Sequence, residues 1–169
     1  MIHLIIGGAR SGKSSHAERL ALKSSSYPAY IATAEPFDEE MRTRIRKHQE
    51  NRQDRFFTIE EPIELALALK KATEDYSSIL VDCLTVWLGN IQYHQVMDKQ
   101  IELLLDELRS FPRDNDLFLV SNELGQGLVP ESALSREFRD RAGFLNQDIA
   151  QIADKVTYLI AGIPMEIKK

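Results

Sequence analysis

A chain of 169 residues with 43% hydrophobic and 28% charged side chains is long enough for one substantial core and has the composition of an ordinary globular domain. Its net charge of −5 gives no global attraction to nucleic acid or to an anionic membrane surface, so any affinity for phosphate has to be local. The one cysteine, Cys83, excludes an internal disulfide framework, and no apolar run approaches the roughly 20 residues that cross a bilayer, so membrane insertion is not expected and the cytoplasm is the expected location.

Along the chain, residues 2–6 form an apolar run interrupted only by His3 and read as a buried strand. The run has no basic leader before it and is expected to be consumed by the fold. It leads directly into Gly7-Gly8-Ala9-Arg10-Ser11-Gly12-Lys13-Ser14, which fits the phosphate-binding pattern G-x-x-x-x-G-K-[ST]. Residues 15–23, with Ala17, Leu20 and Ala21 on one face, read as the helix that such a loop requires. Glycines allow successive backbone N–H groups to curl inward, and the helix N-terminus adds partial positive charge where phosphates sit. Lys13 then reaches the β- and γ-phosphates and Ser14 offers a hydroxyl to Mg²⁺. The plain alternative is a glycine-rich strand-to-helix turn with an incidental lysine.

Further strand-like runs occur at residues 29–33, 78–82, 117–121 and 156–161, with helical patterns between them. One of these, residues 97–109, is amphipathic with Ile101, Leu104, Leu105 and Leu108 facing inward. The alternation predicts an α/β fold: a P-loop NTPase-like, mainly parallel sheet with helices on both faces, forming a single domain over residues 1–169. Ligands gather at the carboxyl ends of such strands. The loops after residues 6, 33, 82 and 121 are therefore expected to open on one edge.

Several residues beyond the loop carry chemistry. Asp82 ends the run Ile79-Leu80-Val81, as a metal- or nucleotide-binding carboxylate at a strand end would, or it caps the helix that follows. Glu123 has a similar strand-end address with no role assigned by pattern. Between Arg42 and Arg55 six basic residues stand against two acids, Glu50 and Asp54. On a helix Arg44, His48 and Arg52 share a face, which would hold an imidazole between guanidiniums and keep a nitrogen lone pair available for attack on phosphorus. A solvated basic face is the alternative. Glu60 and Glu61 could recognise guanine through its N1–H and exocyclic amine; with Pro62 they also read as the start of a helix over residues 63–72. His3, His16 and His94 have weaker claims, and no Cys/His cluster has metal-ligand spacing.

Taken in order, several strings resemble the bifunctional adenosylcobinamide kinase and adenosylcobinamide-phosphate guanylyltransferase family of cobalamin biosynthesis. They are the loop of residues 7–14, Tyr30-Ile31-Ala32-Thr33-Ala34, the stretch 44–52, Ser121-Asn122-Glu123-Leu124-Gly125-Gln126-Gly127-Leu128-Val129-Pro130, residues 138–147 and Ala161-Gly162-Ile163-Pro164. The resemblance implies two transferase reactions. A nucleoside triphosphate, GTP or ATP, phosphorylates the aminopropanol arm of adenosylcobinamide. GTP then donates GMP to the resulting phosphate through a guanylyl-histidine, for which His48 matches the position.

Carried over by position, Gly7, Gly8, Ala9, Arg10, Ser11, Gly12, Lys13, Ser14, Ser15, Thr33, Ala34, Glu35, Gln49, Glu50, Asn51, Arg52, Glu60 and Asp82 contact the nucleotide. Ser14 and Asp82 would hold Mg²⁺. The resemblance also implies a homotrimer. Some relatives carry glutamate where this chain has Asp82. Two rival readings are a P-loop small-molecule kinase without nucleotidyl transfer and a GTP-binding regulatory module; the latter lacks an Asn-Lys-x-Asp base-reading motif here.

Overall fold

The computed structural model describes residues 1–36, 39, 42–43, 46 and 53–169. Strand β1 (Ile2–Gly7) is buried along its whole length, as a central parallel strand covered on both faces must be. Its side chains alternate between two cores: Ile2, Leu4 and Ile6 pack on one side of the sheet and Ile5 on the other. Six more strands complete the sheet: β2 (Ala29–Ala32), β3 (Phe57–Glu60), β4 (Ser78–Asp82), β5 (Asp116–Asn122), β6 (Lys155–Ile160) and β7 (Ile163–Lys168). Their order is β3-β2-β4-β5-β1-β6-β7. All neighbours pair in parallel except β6 with β7.

Helix α1 (Lys13–Ser24) covers one face, burying Ala17 and Ala21 against Ile5, Leu80 and Phe118. The opposite face carries α2 (Leu65–Asp75), α3 (Leu84–Tyr93), α4 (Met97–Arg109) and α5 (Ala133–Ile152), whose apolar sides share one cluster with Leu4, Ile31, Val81 and Leu119. The expected fold class, a mainly parallel α/β sheet with helices on both faces, is the one observed. Helix α4 occupies the expected residues, with Leu104, Leu105 and Leu108 buried. Trp87, fully buried on α3, donates its indole N–H to the Ile63 carbonyl at 2.9 Å.

Some elements differ from expectation. Strands β3 and β7 are exposed edge strands: β3 overlaps only the short apolar run Phe56-Phe57-Thr58-Ile59, and β7 alternates apolar residues with proline or charged ones. Helix α2 starts at Leu65 rather than 63 because the Glu61 carboxylate accepts from the N–H groups of Ile63 and Glu64, at 2.9 and 2.8 Å, and organises a turn ahead of it. The β6–β7 turn runs through Ala161 and Gly162, both at positive φ (51° and 82°), as two-residue hairpin turns demand.

Candidate active site

The loop after β1 is shaped by close backbone approaches. A Cβ on Gly7 would lie 2.5 Å from Ser11 Oγ and 2.8 Å from the Leu159 carbonyl oxygen, so only glycine fits. Gly12 has φ +92°, and a Cβ there would stand 3.3 Å from Gly162; the left-handed conformation favours glycine as well. The Gly162 N–H donates to the Ser11 carbonyl at 2.9 Å, tying the β6–β7 turn to the phosphate loop. Ser11 N–H donates to the Gly8 carbonyl at 3.2 Å.

Helix α1 begins at Lys13 with no side-chain cap and no acid in its first turn. Its N-terminal N–H groups and partial positive charge therefore favour an anion. Lys13 is only 8% exposed and donates to the Gly8 carbonyl at 3.0 Å. Burial holds its ammonium below the usual lysine range, with neighbouring Cys83 and Asp82 opposing the shift. A phosphate brought to Lys13 would favour the charged form by direct attraction. Ser14 is half-buried next to it, while Ala9, Arg10 and Ser15 are exposed.

The ends of β2, β3 and β4 add their residues to the same edge. Asp82 closes β4, and its carboxylate accepts from the Tyr30 hydroxyl at 3.0 Å. The cap of α3 is Cys83, without a side-chain hydrogen bond, so Asp82 does not serve as the helix cap that its position also allowed. Thr33 is fully buried; its hydroxyl donates to the Cys83 carbonyl and accepts from the Cys83 N–H, each at 2.9 Å. Any nucleotide contact by that hydroxyl would require this pairing to open. Asn90, on α3, donates to the carbonyls of Thr33 (2.6 Å) and Pro62 (3.1 Å), tying the loops after β2 and β3 to that helix. Glu35 lies 3.2 Å from His94 Nε2, which gives His94 a partner that spacing did not reveal. Ala34 is half-buried, and Glu60 is exposed at the end of β3, in register with Ala32. Cys83 is buried, and loss of solvent, reinforced by Asp82, pushes its thiol up to about 12, leaving it neutral.

His48, Gln49, Glu50, Asn51 and Arg52 lie outside the described residues, as does Arg44. Among the residues that are described, the structure gathers the loop, Ala34, Glu35, Glu60 and Asp82 along one carboxyl edge. It also places there three residues to which sequence gave no role: Asn90, Asn146 and Glu123. Two of these are amides and the third is an acid one strand over from the phosphate loop; the strand order needed to see this is absent from local pattern.

A family model described as cobinamide kinase / cobinamide phosphate guanyltransferase matches residues 3–167. The chain belongs to this family. It is 46% identical over 171 residues to the bifunctional adenosylcobalamin biosynthesis protein CobP of Pseudomonas aeruginosa, covering 99% of this chain and 98% of the relative. The corresponding proteins named CobU from Escherichia coli and Salmonella typhimurium are 35% and 34% identical, each covering 99% of this chain and all of the relative. The P4 protein of bacteriophage phi6, solved in complex with ADP, superimposes with a TM-score of 0.50 at 14% identity, over 97% of this chain and 53% of that one. This last likeness shows a shared P-loop NTPase-like fold. Kinase and guanylyltransferase are thus the two activities of the family to which this chain belongs, as the sequence strings implied. Among the described residues no helix is long and apolar enough to cross a membrane.

Proposed function

We propose that the carboxyl edge of the sheet works on one nucleotide site in two successive reactions. In the first, the loop of residues 7–15 binds GTP or ATP and the γ-phosphoryl group passes to the hydroxyl on the aminopropanol arm of adenosylcobinamide. In the second, a ring nitrogen of His48 attacks the α-phosphorus of GTP, pyrophosphate leaves, and a phosphate oxygen of adenosylcobinamide phosphate displaces the histidine to give adenosylcobinamide-GDP. The observation that carries this reading is the uncapped N-terminus of α1 behind a buried Lys13, in a chain matched from residue 3 to residue 167 by a kinase and guanyltransferase family.

Individual roles follow from the family resemblance, position by position, and from the chemistry of each side chain. Backbone N–H groups from Gly8 to Ser15 cradle the phosphates, and Lys13 neutralises the β- and γ-groups. Thr33, Ala34, Glu35, Gln49, Glu50, Asn51, Arg52 and Glu60 surround the rest of the nucleotide. Arg52 supplies positive charge, and Glu60 can accept from the donor pair of guanine. The Ser14 hydroxyl and the Asp82 carboxylate, held by Tyr30, would bind Mg²⁺, which when bound shares the phosphate charge. An oxygen-only set with few protein donors suits this ion, and among the described residues no cluster of three His, Cys, Asp or Glu forms a closed cage. The family resemblance adds a homotrimer. The exposed apolar residues Ile163, Met165 and Ile167 along edge strand β7 support burial against other copies.

Incubation with α-labelled GTP tests the covalent step. The expected result is acid-labile, base-stable label on the protein that is lost in His48→Ala. Absence of label on the unaltered chain would leave a kinase without nucleotidyl transfer.

A further inference from the structure

The strand order places β5 between the phosphate-loop strand and the strand that ends in Asp82. Gly7 is in register with Asn122, so the residue after β5, Glu123, emerges beside the phosphate loop. Its position is fixed on several sides. The Glu123 N–H donates to the Gly7 carbonyl at 3.1 Å. Immediately before it, the Asn122 N–H donates to Thr85 Oγ1 at 2.8 Å and the Asn122 carbonyl accepts from Asn146 Nδ2 at 3.1 Å. The half-buried carboxylate is itself aimed: Oε1 accepts from the Gly125 N–H at 2.5 Å. A Cβ on Gly125 would stand 2.9 Å from the same oxygen, so glycine is what permits this approach.

A carboxylate here is electrostatically unfavourable for holding a triphosphate, because like charges repel at close range. Among the described residues no lysine or arginine pairs with it. An acid fixed beside the phosphate loop, and paired with no lysine or arginine among the described residues, is, however, placed to receive a proton. Phosphorylation of an alcohol releases one, since the hydroxyl oxygen must lose its hydrogen as it bonds to phosphorus.

We propose that Glu123 accepts the hydroxyl proton of the alcohol substrate in the kinase step. The proposal rests on the kinase reading above. As the alcohol oxygen bonds to the γ-phosphorus, the bond from that phosphorus to the β–γ bridging oxygen breaks and the nucleoside diphosphate leaves. The proton moves to the Glu123 carboxylate and is later released to water. Guanylylation of histidine involves no hydroxyl acceptor and does not need this base.

The test compares Glu123→Gln, Glu123→Asp and Gly125→Ala with the unaltered chain, using ATP and cobinamide for the kinase step and α-labelled GTP without corrinoid for the histidine step. Loss of a general base predicts a fall in kinase kcat of about 10²–10⁴-fold in Glu123→Gln, with the acidic limb of its pH profile removed. Partial recovery is expected in Glu123→Asp, and a smaller kcat loss in Gly125→Ala, where the carboxylate is displaced. Label on His48 still forms in each. A kcat within threefold of the unaltered chain in Glu123→Gln would overturn the proposal. So would parallel loss of kinase turnover and label, because that marks a turn whose collapse damages nucleotide binding. An unaltered chain with no kinase activity but intact label would instead refute the kinase reading itself.

Discussion

At the carboxyl edge of β1 the chain presents backbone N–H groups and a helix N-terminus, whereas at the amino edge the same strand meets side chains already engaged with one another. There, a cleft of about 320 Å³ is lined by Met1, His3, Lys23, Asp116, Lys155 and Glu166, among others. His3 Nε2 lies 2.8 Å from Thr157 Oγ1, and Ser24, at the end of α1, bonds to Asp116. Lys168 donates to the carbonyls of Ala150 and Gln151 at 3.0 and 3.1 Å, a cation at the negative end of α5. Right-handed crossovers between parallel strands send helix N-termini to one edge and C-termini to the other. Cleft volume therefore does not identify the anion site here. The proposed site rests instead on the direction of the helices.

The comparison can be broken at either edge. The largest effect is expected at Lys13: replacement by alanine should lower kinase turnover by about 10²–10³-fold, the range for removing one fixed donor to developing charge, measured by steady-state assay with ATP and cobinamide. An unchanged turnover would mean that the carboxyl edge is not where phosphate is held.

A smaller effect concerns the loop's shape. Gly7→Ala forces a Cβ against Ser11 Oγ and the Leu159 carbonyl and should cost about 1–3 kcal/mol of stability, as overpacking does. Urea unfolding measures it. Gly8→Ala, with no atom within 4 Å of its Cβ position, is the matched control and should cost much less.

The amino edge gives a pH signature of similar or smaller size. Burial, then the nearby His16 and Lys155, lower His3 from 6.5 to about 4, with Glu166 opposing. Between those values the unfolded chain binds a proton that the folded chain does not, so stability falls as pH drops from 6.5 to 4 and is fully present above that window. The loss should be of order 2 kcal/mol. In His3→Gln the same acidification should cost less, by denaturant unfolding at a series of pH values. Identical pH dependence in the two proteins would show that the amino edge does not hold a neutral imidazole.

Much of the carboxyl edge is legible in local order. The loop pattern needs only its own eight residues and the periodicity of the flanking strand and helix, and α4 follows from apolar residues recurring at helical spacing. Asp82 was readable as a strand-end acid, but that Cys83 rather than Asp82 caps α3, and that Tyr30 from a different strand holds its carboxylate, were not. Thr33 matched a family string, yet its hydroxyl is held by Cys83, a contact between β2 and β4 that spacing does not contain. Strands β3 and β7 went unread as strands because, at the exposed edges of the sheet, β3 offers only a short apolar run and β7 only an alternating one.

By itself the sequence determined the identity of the phosphate loop, the alternation of strands with helices and the family, because these are carried by short-range pattern and by ordered strings of residues. The tertiary structure alone decided that β5 separates β1 from β4, that the β6–β7 turn braces the loop through Gly162, and that Glu123 emerges beside that loop. Strand adjacency is a non-local choice made by burial of whole faces and closure of long connections, and no single segment encodes it.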